Sequence, residues 1–191
     1  MAPTISVIIP AYNAAATLGR CLKHIRQQTL PATEIIVVDD ASRDRTAEIA
    51  RQHGAKVIVL PRNQGPGAAR NAGAAAASGD VLTFTDSDCE PLPDWLDRIT
   101  APLALPGVVA ATGGYAGAVH ETFLTRLQDS VLHARQRLLP AEIESTITSN
   151  FACKRAAFLA VGGFPIYMRR SDPARPVWGN EDEELGFLLA Q

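Results

Sequence analysis

The sequence predicts an α/β domain on a mostly parallel, doubly wound sheet. Three observations carry that expectation. Short β-branched runs alternate with longer helix-like segments over the first 90 residues; those runs are apolar enough to be buried on both faces; and a polar or glycine-bearing cluster follows each of them.

Taken in order, "ISVIIP" (5–10) is the first strand and residues 14–28 the first helix. "EIIVVDD" (34–40), a helix over 45–53, "KVIVL" (56–60), a helix over 66–77 and "DVLTFTD" (80–86) continue the alternation. The alanine-rich "GAAAASG" is good helix material with a glycine stop. Beyond Asp88 the regularity fades. Residues 93–103 read as helix, "GVVAATGGY" (107–115) as a strand, and 121–139 as an amphipathic helix with Phe123, Leu124, Leu127, Val131 and Leu138 near one face. "CKRAAFLAVGGFP" (153–165) reads as a short helix stopped by Gly162 and Gly163, and "IYMRRSDPARPVWGN" (166–180) as a mobile loop. A last helix starts near Glu181.

The bulk numbers bound the function. A chain of 191 residues, 47% of them hydrophobic, supports one domain with its own core over 1–191, and no internal repeat divides it. A net charge of −2 offers no basic field for nucleic acid, so an anionic ligand must be held locally. Three widely spaced cysteines form no zinc or disulfide pattern, which fits a reducing compartment. No run approaches the roughly 18 apolar residues that span a bilayer. The expected location is the cytoplasm.

In doubly wound sheets, ligands sit beyond the carboxyl ends of the strands, where the strand order switches. Four clusters lie there and are expected to meet on one rim: "PAYN" (10–13), "DDAS" (39–42), "PRNQGPGAARNAG" (61–73) and "DSD" (86–88). Asp86 and Asp88 are alternate residues of an extended segment, so both carboxylates can face one point, as Mg2+ or Mn2+ accepts. A solvated acidic turn is the plainer alternative. Asp40 could accept hydrogen bonds from a nucleobase or ribose, or could merely cap the helix that follows, with Ser42; Asp39 stays open between the same readings. The glycine-bearing turn before Arg70 could cradle phosphate, or Arg70 could serve a structural ion pair. The acidic run 181–184 either complements a helix dipole or supplies a general base. The four histidines lack metal-ligand spacing, and Cys89 reads as a small buried group.

Together, "SVIIPAYNAAATLGRCLKHIRQQT", "EIIVVDDASRDRTAEIA", "NQGPGAARNAGAAAASGDVLTFTDSD" and "GNEDEEL" resemble the family 2 glycosyltransferases of the GT-A fold, in the family's own order. The resemblance implies inverting, metal-dependent transfer of a sugar from a nucleotide-diphosphate sugar, a UDP-sugar by expectation, to the hydroxyl of a carbohydrate or lipid-linked acceptor. It fits work on cell-envelope polysaccharide. Residues 1–90 would be the donor-binding half and 91–191 the acceptor side. Pro10, Ala11, Tyr12 and Asn13 would line the nucleoside pocket with Asp40 at the base. Arg70 would lie near base or diphosphate, Asp86 near the ribose or donor sugar with Ser87 beside it, and Asp88 on Mg2+ or Mn2+. Asp182 would be the catalytic base, with Glu181 next to it and Asn150 shaping the sugar and acceptor pocket.

Family members usually continue beyond the base-bearing helix, so the chain is expected to be C-terminally truncated. The 121–139 helix has two readings: packing on the sheet, or peripheral contact with the cytoplasmic face of a membrane. The competing functions are a nucleotidyltransferase and a nucleotide-sugar-binding module without turnover.

Overall fold

The computed structural model describes residues 3–114 and 148–165. In chain order it contains β1 (Ile5–Ala11), α1 (Leu18–Arg26), β2 (Glu34–Asp39), α2 (Thr46–Gln52), β3 (Lys56–Val59), α3 (Pro66–Ala76) and β4 (Val81–Thr85). α4 (Trp95–Thr100), a 3-10 turn (Ala101–Ala104), β5 (Ala110–Thr112), β6 (Asn150–Lys154) and α5 (Arg155–Ala160) follow. The expected 121–139 helix, the 166–180 loop and the helix near Glu181 lie outside the described residues.

The strands form one sheet in the order β3-β2-β1-β4-β6-β5. β3, β2, β1 and β4 are mutually parallel, whereas β6 runs antiparallel to both β4 and β5. The chain steps outward from β1 to β2 and β3, then returns to lay β4 on the other side of β1. That reversal makes the β1 and β4 ends the switch point, where a crevice opens.

Two expectations change. The strand expected over 107–115 contracts to Ala110–Thr112. Residues Cys153 and Lys154, expected in a helix, instead end β6, and the helix starts at Arg155. β6 left no alternating signature because Asn150, Phe151, Ala152 and Cys153 are all buried: in a strand covered on both faces, no exposed polar residues alternate with the apolar ones.

The two faces of β1 show how the sheet is covered. Val7 and Ile9 pack on Leu18, Leu22 and Ile25 of α1, while Ile8 points the other way, toward Ala69 and Ala74 of α3. Each fully buried Ile or Leu contributes about 1.5–3 kcal/mol. The approach of α3 is close: a Cβ on Gly73 would come within 2.5 Å of Ile8 Cγ2. Phe84, Phe151, Phe158 and Phe164 fill the space beside α3 under β4 and β6, with ring centroids 5.4–5.8 Å apart.

At the opposite end of the strands, Glu34 Oε1 accepts hydrogen bonds from Ser6 Oγ at 2.7 Å and from Ser78 N at 2.6 Å. Burial alone would raise this carboxyl. The donors from Ser78 and Ser6, with Lys56 Nζ 3.9 Å away, outweigh burial and hold it below its ordinary value.

Candidate functional site

The first two strand ends are sewn into one ledge. Asp40 N donates to Ala11 O at 2.8 Å, Asn13 N donates to Ser42 Oγ at 2.9 Å, and Asn13 Oδ1 accepts from Arg43 N at 2.8 Å. Asp39 Oδ1 accepts from Ser42 N, closing a tight turn. Asn13 and Ala41 sit at φ of 50° and 62° in this ledge. Asn accepts that left-handed region readily, whereas Ala enters it at a cost, so the surrounding bonds must over-determine the turn. Pro10 and Ala11 lie buried within β1 and supply backbone and shape to the ledge. Tyr12, 48% exposed, is its aromatic surface.

Asp40 ties in the third strand end. It is 3% exposed, and its two oxygens accept the backbone N–H groups of Gln64 and Gly65, each at 2.8 Å. Those two amides of the glycine-bearing turn are committed to a carboxylate. Asp40 is no helix cap: Asp44 accepts the N–H and the hydroxyl of Thr46 at the start of α2. Each carboxylate oxygen of Asp40 keeps a further lone pair.

At the fourth end, Arg70 Nη2 donates to Asp86 Oδ1 at 2.7 Å. Arg70 is only 4% exposed and the Asp86 side chain 36%, so the pair reaches from the interior to the rim. The guanidinium carbon lies 5.7 Å from the centroid of the Phe164 ring. Ser87 is half-buried and Asp88 exposed. Asp86 O accepts from Cys89 N at 3.1 Å and from Cys21 Sγ at 3.4 Å, which fixes the turn that presents Asp88.

Burial is the main force pushing the Cys21 and Cys89 thiols above their ordinary values, with nearby carboxylates adding to it. Both are therefore poor nucleophiles at neutral pH. Among the described residues no three His, Cys, Asp or Glu side chains group into a metal cage. One or two exposed carboxylates fit a hard cation whose remaining positions are filled by water and substrate phosphates. The oxygen-only donor set at Asp86 and Asp88 suits Mg2+ or Mn2+ on those terms.

Asn150 lies opposite Thr85 in the β4–β6 register, next to the acidic turn. Its Oδ1 accepts from Trp95 Nε1 at 2.7 Å and its Nδ2 donates to Gly114 O at 2.6 Å. The side chain fastens the second half of the chain to the rim. Asp182 and Glu181 lie outside the described residues.

Sequence reasoning missed a set of supports on α1 and just beyond its end. Arg20 and His24 both meet Glu90, at 2.8 and 3.4 Å, and Gln28 Nε2 donates to Leu92 O at 2.6 Å. Their four-residue spacing, which places side chains on one helix face, was the signal that could have found them. A separate open cavity of about 780 Å3, lined by Asp80, Leu103 and Arg155 among others, lies at the other end of β4, away from the rim.

A switch-point rim that joins an Asn13–Asp40 ledge to an acidic turn is the architecture of nucleotide-sugar transferases of GT-A type. The comparisons sharpen this to a family. The model of "Glycosyl transferase family 2" matches residues 6–172, and the chain belongs to that family. It is 41% identical over 203 residues to "Glycosyltransferase AglE" of Haloferax volcanii, covering 98% of this chain and 64% of that relative. Its fold matches the mannosyltransferase PcManGT from Pyrobaculum calidifontis, solved with GDP-Man and Mn2+, with a TM-score of 0.74 at 24% identity over 96% of this chain and 50% of that one. Glucosyl-3-phosphoglycerate synthase from Mycobacterium tuberculosis, solved with Mn2+, UDP-Glc and phosphoglyceric acid, matches with a TM-score of 0.62 at 28% identity, over 82% of this chain and 58% of that one. The chain thus spans between half and two thirds of these proteins' lengths.

Proposed function

We propose that the chain carries the donor site and catalytic machinery of an inverting glycosyltransferase. It would move a sugar from a nucleotide-diphosphate sugar to an acceptor hydroxyl with Mg2+ or Mn2+. The observation that supports this best is the joining of all four strand ends: Asp40 fixes the 61–65 loop, Asn13 fixes the β2 turn, and Arg70 holds Asp86 beside the exposed Asp88.

In this reading Tyr12 offers its ring to the base, and Asp40 and Asn13 shape the nucleoside pocket. Asp86 and Ser87 orient the ribose or donor sugar, and Asp88 holds the cation. When bound, the cation supplies charge stabilisation to the departing diphosphate. Asp182 takes the proton of the acceptor hydroxyl, with Glu181 at its side. Attack opposite the leaving group inverts the anomeric centre. Asn150, bonded to Trp95 and Gly114, shapes the sugar and acceptor pocket.

A UDP-sugar is the proposed donor, with a GDP-sugar as its competitor, since one structural neighbour is bound to each kind. The acceptor is a carbohydrate or a lipid-linked sugar of the cell envelope, and the proposed location is the cytoplasm or the cytoplasmic face of its membrane. Among the described residues no helix is long and apolar enough to cross a membrane.

The test is thermal unfolding of the chain with UDP, GDP and their sugars, with and without Mn2+. A ligand that binds only the folded state raises the midpoint. A rise that requires Mn2+ and vanishes in Asp88→Ala supports the reading. A rise of equal size without metal removes Asp88 from the role given to it.

A further inference from the structure

We propose that Asn71 of α3 is a positioning residue for the donor site, acting through Phe164 and Arg70 on the Asp86 carboxylate. The inference rests on the reading of Asp86 and Asp88 as the donor and cation end.

The Asn71 amide grips the backbone of a residue 93 positions away: Nδ2 donates to Phe164 O, and Oδ1 accepts from Phe164 N, both at 2.8 Å. The preceding Gly163 has φ of 79°, and a Cβ there would stand 2.6 Å from Asn71 Oδ1. The 163–164 backbone is therefore pressed onto this amide with no room for a side chain between them. Both polar functions of Asn71 are used on one peptide segment, which fixes its orientation as well as its distance.

What the grip positions is the Phe164 ring. It is 1% exposed and packs edge-on against Phe84 and Phe158, each at 5.4 Å between centroids, and its face lies under the Arg70 guanidinium. Arg70 depends on that face. Its Nε is buried without a hydrogen-bond partner, and its bond to Asp86 comes from Nη2 alone. A guanidinium held, among the described residues, by one hydrogen bond can swing about it; an aromatic face within about 6 Å attracts the cation and blocks that swing. The relay thus runs Asn71 amide, Phe164 backbone, Phe164 ring, Arg70, Asp86 Oδ1. It commits one Asp86 oxygen inward; among the described residues the other oxygen and the Asp88 side chain have no protein hydrogen bond that competes with a ligand.

Groups that orient a ligand-binding carboxylate are expected to change affinity by about 10- to 100-fold when altered. The experiment compares the chain with Asn71→Asp, Arg70→Lys and the double variant. Asn71→Asp keeps the volume and the bond from Phe164 N but turns the donor toward Phe164 O into an acceptor.

The first readout needs no ligand. It is hydrogen exchange at the Cys89 amide, which closes the turn on Asp86 O, with Val7 and Ile8 as controls for global stability. Exchange at Cys89 is expected to rise several-fold in each single variant and no further in the double, with Val7 and Ile8 unchanged. The second readout is Mn2+-dependent binding of UDP and GDP, expected to weaken about tenfold in the same non-additive way.

Phe164→Leu keeps the backbone grip and removes the ring. It carries the same expectation and decides the matter if Asn71→Asp does not fold. Unchanged Cys89 exchange in a folded variant overturns the inference, as do effects that add. If the unaltered chain binds neither nucleotide with Mn2+, the functional reading falls, and the exchange data still judge the relay.

Discussion

The carboxylate of Asp40 accepts the backbone N–H of Gly65 at 2.8 Å, joining the end of β2 to the turn that starts α3, 25 residues later. The neighbouring Gln64 N–H goes to the other oxygen of the same carboxylate. One acidic side chain, 3% exposed, thereby ties down two successive amides of the turn at the rim.

Asp40→Ala is expected to cost about 2–3 kcal/mol, because it removes two part-buried hydrogen bonds to a charged group, a kind that contributes about 1.5–3 kcal/mol each. Asp40→Asn, which keeps one acceptor oxygen, falls between. Urea unfolding measures the cost, and faster hydrogen exchange at Gln64 and Gly65 locates it. A loss of stability with those two amides still protected would place the effect elsewhere.

The Arg70–Asp86 pair is asymmetric in burial, and the two truncations should differ. Asp86→Ala strands a cation that is 4% exposed, whereas Arg70→Met leaves a carboxylate that water can reach. Asp86→Ala is expected to lose on the order of 3 kcal/mol, the low end for breaking a buried pair, and Arg70→Met clearly less. Equal losses in chemical denaturation contradict this ordering.

Asp88 presents the opposite case. Its side chain is exposed, so Asp88→Ala should change stability by less than about 0.5 kcal/mol. Calorimetric titration with UDP or GDP should nonetheless show the Mn2+-dependent part of binding gone. A variant that binds nucleotide as before, with the same metal dependence, sinks the assignment.

Gly73→Ala would improve helix propensity by up to about 1 kcal/mol in an isolated helix. Here the new methyl meets Ile8 Cγ2 at 2.5 Å and Val38 Cγ2 at 3.1 Å, so the net effect should be a loss of about 1–3 kcal/mol. Pairing it with Ile8→Ala removes the nearest clash. The double variant should therefore be more stable than the sum of the single losses implies.

Glu34 sets an acid limit. Its folded carboxyl titrates below the ordinary value of 4.5, so its contribution is complete above that pH and fades as pH falls through the lower folded value. Asp80, held down chiefly by the Thr4 N–H, behaves alike. The stability gap between the unaltered chain and Glu34→Gln should be constant from pH 7 to about 5 and shrink below 4.5. A gap that widens on acidification would reverse the sign.

The parallel half was legible because each of its strands is a compact apolar run with a polar stop, and β1, β2, β3 and β4 fall where those runs lie. β6 was not, because its pattern is set by neighbours: Phe151 pairs with Phe84 and Thr112, partners distant in sequence. At the site, the acidic turn and Asp40 were visible as residue types at strand ends. What they bond to was not. Asp40 meeting Gly65, Arg70 meeting Asp86, and Asn150 meeting Trp95 are contacts between segments that only the folded sheet brings together.

The placement of β6 also has a temporal side. β4 carries the acidic turn, and one of its edges is covered by residues 150–154, which are synthesised 65 or more positions after Thr85. During translation the β3-β2-β1-β4 layer can assemble before residue 150 is made, but Val81–Thr85 then shows an open strand edge. Such an edge can recruit other chains until residues 150–154 arrive to close it. The strand that presents Asp86 and Asp88 is thus the last of the parallel set to be sealed, and a nascent chain halted before residue 150 would be sticky before it was competent.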